Sequence, residues 1–290
     1  MPLGAFTRSP ETLVMTLRPE LTQAAVPLIE EVEVVDEQGR VRAAYLPGER
    51  PLTVYLDKRE LVTLMTLGGA PEHLVLGYLR NQRLVESIED IAAVQVDWET
   101  ESAAVTTRTG VDRIEERTAR RVVTTGCGQG TVFGSLLDEV DSIRLPVGAM
   151  LDQDTLYGII NTIRLQQSVY KQAGSVHGCA LFQGTELLMF VEDVGRHNAV
   201  DAIAGRMWLE GMTGGDKIFY TTGRLTSEMV IKGAQMGIPF LLSRSGVTQM
   251  GYQMARRVNL TLFARCTGKH FLLYTGRERF RHRQPEDVVV

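Results

Sequence analysis

Five consecutive segments decide the fold: KIFYTT (217–222), TSEMVIKGAQMG (226–237), IPFLLS (238–243), VTQMGYQMARRVN (247–259) and LTLFAR (260–265). Three short apolar runs of strand character alternate with two stretches of helical character, and that order predicts a βαβαβ unit with a mostly parallel sheet and helices on both faces. Ligands bind such sheets beyond the carboxyl ends of the strands. There the sequence places Thr221-Thr222-Gly223-Arg224 and Ser243-Arg244-Ser245-Gly246, and a turn of the same kind, Thr124-Thr125-Gly126-Cys127, precedes them. Three small-residue turns are expected to converge on one edge. Arg224 and Arg244 each stand shortly before a helix, where arginine and free N–H groups bind phosphate well.

Upstream, Asp152 is placed to cap a helix whose apolar residues Leu156, Ile159, Ile160 and Ile163 recur on one face. CALFQ (179–183) and ELLMFV (186–191) read as a hairpin, and a helix through AVDAIAGRMWLEG stops at Gly211. The amino-terminal texture is different. IEEVEVVDE, VRAAYL, PLTVYLD and ELVTLMTLG are short β-type runs separated by turns, which predicts one small antiparallel sheet. A helix opening at Pro71 follows, then two strands around residues 91–98 and 102–110. The organisation expected is a poorly ordered lead-in over 1–22, a smaller β-rich domain over 23–120 and an α/β core domain over 121–290.

The chain has 290 residues and a formal charge of −4, so no global field draws it to nucleic acid or to an anionic membrane. An anionic ligand must be met locally. No apolar run reaches the roughly 18 residues of a membrane span, and the first residues lack a basic segment followed by an apolar one, so a cytoplasmic location is expected. Three cysteines, Cys127, Cys179 and Cys266, form no close pair, which fits a reducing compartment.

Two constellations carry chemistry. In VVTTGCGQGT, Cys127 lies between Gly126 and Gly128 ahead of a possible helix, and an exposed thiol beside free N–H groups is a candidate nucleophile. In EDVGRHNAVD, the residues Glu192, Asp193, Arg196, His197, Asn198 and Asp201 crowd a strand-to-helix turn. Such groups can hydrogen-bond a polar ligand, or they can simply cap a helix start. Neither His177 nor His197 belongs to a familiar zinc-ligand spacing, so no metal site is expected.

Together these segments resemble the formate dehydrogenase accessory sulfurtransferase family, FdhD/NarQ. EDVGRHNAVD is nearly identical to the family's most specific signature, Val75-Leu76-Gly77-Tyr78-Leu79 is similar to its amino-terminal helix, and LTLFARCTGKHFLLYTG looks like its carboxy-terminal strand pair. The resemblance implies a cytoplasmic homodimer with a cytidine-deaminase-like core. It implies a sulfurtransferase that takes sulfur from a cysteine desulfurase as a cysteine persulfide. The sulfur passes to the bis-molybdopterin guanine dinucleotide cofactor of molybdenum or tungsten, destined for a formate dehydrogenase apoenzyme. By position the persulfide cysteine is Cys127, and the cofactor-binding stretch is Phe263, Ala264, Arg265, Cys266, Thr267, Gly268 and Lys269. Arg224, Arg244, Arg196, His197 and Asn198 are expected to complete that site. Gly130 stands where many members have a second cysteine, which leaves Cys266 as the stand-in thiol. A molybdenum-cofactor-binding chaperone without sulfur transfer is the alternative; a hydrolytic deaminase is disfavoured by the missing zinc-ligand motif.

Overall fold

The computed structural model describes residues 17–111 and 140–283. The turn bearing Cys127, with Thr124 to Gly130 and the possible helix after it, lies outside the described residues.

The amino-terminal half contains strands β1 (Glu20–Leu21), β2 (Ile29–Val35), β3 (Val41–Pro47), β4 (Arg50–Leu56) and β5 (Arg59–Thr66). Helix α1 (Pro71–Asn81) and strands β6 (Ile91–Asp97) and β7 (Ser102–Thr107) follow. The single antiparallel sheet expected from residues 26 to 66 is instead divided. β2 and β3 form a two-stranded ribbon, whereas β4 and β5 join a five-stranded sheet in the order β1-β6-β7-β4-β5. The burial pattern explains the division. Leu52, Val54 and Leu56 alternate inward along β4, as do Ala103 and Val105 along β7, so these strands share one buried face. The ribbon has no such stripe, and Val35 and Val41 at its tip are exposed. Within the segment taken as a lead-in, Glu20 and Leu21 pair with Ala93 and Val94.

The second half contains β8 (Leu151–Asp152), α2 (Gln153–Leu165), α3 (Val169–Ala173), β9 (His177–Gln183), β10 (Glu186–Asp193) and α4 (Arg196–Glu210). It continues with β11 (Lys217–Thr221), α5 (Ser227–Gln235), β12 (Phe240–Ser243), α6 (Gln249–Arg257), β13 (Thr261–Thr267), β14 (His270–Leu273) and β15 (Phe280–Arg281). A six-stranded sheet runs β10-β9-β11-β12-β13-β14. The βαβαβ unit is present: β11 pairs parallel with β12, and β12 with β13. The sheet is nevertheless mixed rather than mostly parallel, because β9–β10 and β13–β14 are hairpins, and β9 and β14 run against their neighbours. A tight turn can only reverse the chain.

Alternation along the strands sends side chains to two cores. Leu181, Phe219, Leu241 and Leu262 pack under α4, α5 and α6, while Phe182, Tyr220, Leu242 and Phe263 pack under α2. Helices therefore cover both faces. Among the described residues, no helix is long and apolar enough to cross a membrane.

The halves meet where α1 crosses α4. A Cβ on Gly77 would run into the backbone carbonyl oxygen of Asp201, and one on Gly205 into that of His73. Two glycines facing each other's helix let the backbones touch. Asn81 then donates to Asp201 Oδ1 at 2.7 Å, and Lys232 of α5 reaches Asp201 Oδ2 at 2.9 Å. Lys232 and Asp201 are fully buried, so α1, α4 and α5 are fastened by charge inside the core.

Candidate functional site

Backbone hydrogen bonds lace the strand ends together. Arg244 N donates to Thr221 O at 3.0 Å, Leu225 N to Gly246 O at 2.9 Å, Arg265 N to Ser245 O at 2.8 Å and Thr222 N to Gly178 O at 2.9 Å. Hydroxyls finish the lattice: Ser243 donates to Gly223 O and accepts from Ser245 N, and Thr222 accepts from Gly178 N. Small hydroxyl residues at these positions satisfy turn groups that would otherwise face outward without partners. The helix starts themselves are capped by Thr226 and Thr248.

At this edge lies an open cavity of about 360 Å3, lined by Tyr170, Val176, His177, Thr222, Arg244, Ser245 and Arg265. That is within the roughly 300–1,000 Å3 range of small-molecule sites. Among the described residues its lining holds two guanidinium groups and no carboxylate. Arg265 departs from the strand at a β-bulge, with φ +57, a left-handed conformation that is costly for a residue with a Cβ. Its guanidinium passes near Gly246. Arg196 is buried, and its side chain packs on Gly223, where a Cβ would come within 3.0 Å of Arg196 Cδ. Burial, with the nearby cations of Arg196 and Arg224, pushes His177 below the usual imidazole value, so it is neutral near pH 7. Two of the expected arginines, Arg244 and Arg265, therefore line the basin, while Arg196 and Arg224 are outside its lining and act on it through their charge near His177.

The EDVGRHNAVD motif serves mostly as a junction. Asp193 is buried and accepts from Thr66 Oγ1 at 2.6 Å, Leu67 N at 3.1 Å, Gly195 N at 3.0 Å and Asn198 Nδ2 at 2.8 Å. Burial raises its pKa despite those four donors. Asn198 also donates to Met65 O at 2.6 Å, so the pair binds the start of α4 to the end of β5. Asn198 therefore faces inward and does not line the cavity. His197 is buried as well, its Nε2 lying 3.4 Å from Glu228 Oε2. Burial, followed by the charges of Lys232 and Arg196, pushes its pKa down to about 2. A neutral, enclosed imidazole brings no positive charge to a phosphate.

The stretch from Phe263 to Lys269 is divided by the strand's alternation. Phe263, Ala264 and Cys266 are buried in the sheet, Arg265 alone reaches the cavity, and Thr267 is the exposed end of β13, followed by Gly268 and Lys269 in the exposed β13–β14 turn. Cys266 is 1% exposed and burial pushes its thiol up to about 12, which corrects its reading as a stand-in thiol. Cys179 is likewise buried, its thiol also raised to about 12. Tyr170 and Val176 line the cavity although no motif pointed to them, since residues 166–176 hold only a five-residue helix with no periodicity to read. Among the described residues, no three His, Cys, Asp or Glu side chains stand together as a metal site.

The sequence pattern of the FdhD/NarQ family matches residues 47–281. The chain belongs to the FdhD/NarQ family. Among FdhD relatives, the sulfur carrier protein FdhD of Listeria monocytogenes serotype 4b (strain F2365) is 29% identical over 233 residues, covering 80% of this chain and 89% of that protein. The FdhD of Bacillus subtilis (strain 168) is 29% identical over 254 residues, covering 84% and 94%. That of Sulfurisphaera tokodaii is 29% identical over 253 residues, covering 85% and 96%. The fold is similar to the crystal structure of a formate dehydrogenase accessory protein from Desulfotalea psychrophila, with a TM-score of 0.69 and 25% identity over 88% of this chain and all of that one.

Proposed function

We propose that this FdhD/NarQ protein is a sulfurtransferase that loads sulfur onto the molybdenum or tungsten bis-molybdopterin guanine dinucleotide cofactor of a formate dehydrogenase. The observation that carries the reading is the cavity lined by Arg244 and Arg265 with no carboxylate among its described lining residues, with the charges of Arg196 and Arg224 felt at its His177. A large anionic cofactor needs a local cluster of positive charge on a chain whose net charge is −4. Relatives named as sulfur carriers support the sulfur half of the reading. The strand order β10-β9-β11-β12-β13, with β9 alone running against the others, supports a cytidine-deaminase-like core.

Cys127 is the carrier. Its thiolate attacks the outer sulfur of a persulfide on a cysteine desulfurase; a new S–S bond forms on Cys127 as the donor's S–S bond breaks, and the desulfurase leaves as a thiolate. No net oxidation occurs. Arg244 and Arg265 would orient the cofactor by its phosphates beside the persulfide. With Cys179 and Cys266 sealed in the core, one thiol does the carrying. The protein is expected to work as a cytoplasmic homodimer.

The test is intact mass after incubation with a cysteine desulfurase and cysteine. Wild type, Cys179→Ala and Cys266→Ala should each gain one sulfur atom, removable by reductant, and Cys127→Ala should gain none. Equal loading of Cys127→Ala would place the carrier on another thiol, and no loading of any of the four proteins would leave only the chaperone reading.

A further inference from the structure

We infer that Tyr170 is the ring-stacking residue of the basic cavity, taking the flat face of a phosphorylated heteroaromatic ligand whose phosphates lie against Arg244 and Arg265, and that Glu192 positions it. The inference rests on the reading of this cavity as a nucleotide-bearing cofactor's site and names the residue that would hold the ring.

Two independent observations lead there. The first is exposure. Tyr170 is 50% exposed, unlike Tyr220 and Tyr78 in the core, and it forms part of the wall of a cavity whose lining also holds the cations of Arg244 and Arg265. The Arg244 guanidinium carbon lies over its ring, 5.9 Å from the centroid, so one face is held by a cation and half of the residue is left for a ligand. An aromatic ring beside paired arginines suits a molecule with a flat end and an anionic end. Val176 extends the same wall with apolar surface.

The second observation is how firmly the ring's backbone is held. Helix α3 has only five residues and would not persist alone. Glu192 grips its start with both carboxylate oxygens: Val169 N donates to Oε2 at 2.5 Å and Tyr170 N to Oε1 at 3.1 Å. Ser168 caps the same turn by accepting from Lys171 N, and Lys171 Nζ donates to Arg164 O at 2.8 Å. Val169 anchors the helix by burial against Leu67 and Val176. The first residue of the EDVGRHNAVD motif thus fixes the backbone that presents an exposed ring. That is an arrangement for binding by a preorganised surface.

Calorimetry on the full chain with GDP, ADP and inorganic pyrophosphate separates the ring from the phosphates. Tyr170→Ala should weaken both nucleotides by roughly 10- to 100-fold and leave pyrophosphate binding unchanged, and Tyr170→Phe should restore nucleotide affinity. Arg265→Ala should weaken all three ligands. Glu192→Ala should repeat the Tyr170→Ala pattern, with Glu192→Gln, which keeps one acceptor oxygen, recovering part of the loss. Unchanged nucleotide affinity in Tyr170→Ala, an equal loss for pyrophosphate, or failure of both nucleotides to bind wild type would overturn the assignment. ADP binding as tightly as GDP, with the Tyr170 pattern intact, would instead sink the guanine-cofactor reading and leave the stacking role standing.

Discussion

Gly77→Ala and Gly205→Ala should each destabilise the protein by about 1–3 kcal/mol or more, the range for an overpacked interior, although alanine is the better helix former. The intrinsic preference favours alanine by only about 1 kcal/mol, and the obstacle at each site is a neighbouring backbone carbonyl, at Asp201 for Gly77 and at His73 for Gly205. A side chain could rotate away, but a helix backbone cannot. Relief requires α1 and α4 to separate, which would also loosen the Asn81 to Asp201 hydrogen bond and the seat of Arg196 at the start of α4. Gly148→Ala, with nothing near its Cβ position, should be neutral and serves as the control. Urea unfolding midpoints measure the effect. A Gly77→Ala protein as stable as wild type would mean that the helices do not touch as described.

Lys232→Met should cost more, about 3–5 kcal/mol, the range for removing one partner of a buried ion pair. Lys232 faces Asp201 at 2.9 Å and Glu228 at 3.5 Å in the core between α4 and α5, and methionine would fill the space while leaving Asp201 with only the Asn81 donor. The loss should depend on pH. Burial raises the pKa of Asp201, and a carboxyl whose folded pKa lies above its unfolded value contributes stability that is fully present below the unfolded pKa and lost as pH rises through the folded one. Without the lysine this behaviour is unopposed, so the variant's deficit should shrink on acidification from pH 8 toward pH 5. A deficit that is flat in pH would show that the cost is packing rather than charge.

Alternation and turn chemistry made much of the architecture legible. The βαβαβ order, the capped helix after Asp152 and the stop at Gly211 all follow from local pattern, and the structure has them. The mixed character of the sheet was hidden because β9 and β14 differ from the parallel strands by connection and not by composition. The ribbon of β2 and β3 was hidden for a similar reason: a run of valines and glutamates reads as strand whether or not it joins the larger sheet. In the site, the arginines at the turn ends were readable from their place after a strand. Motif density misled at His197 and Asn198, since a crowded polar turn looks the same whether it faces a ligand or, as here, ties two buried elements together. Tyr170 was beyond reach because its position depends on Glu192, more than twenty residues away, gripping a short helix.

The central claim is that a single thiol, Cys127, carries sulfur to a cofactor needed by formate dehydrogenase. Its most direct test is formate dehydrogenase activity in a strain that lacks its own accessory protein and expresses variants of this chain. The account predicts that Cys127→Ala abolishes activity at wild-type protein level, while Cys266→Ala, which alters a buried and protonated thiol, retains it. Activity sustained by Cys127→Ala would contradict the sulfur-transfer account.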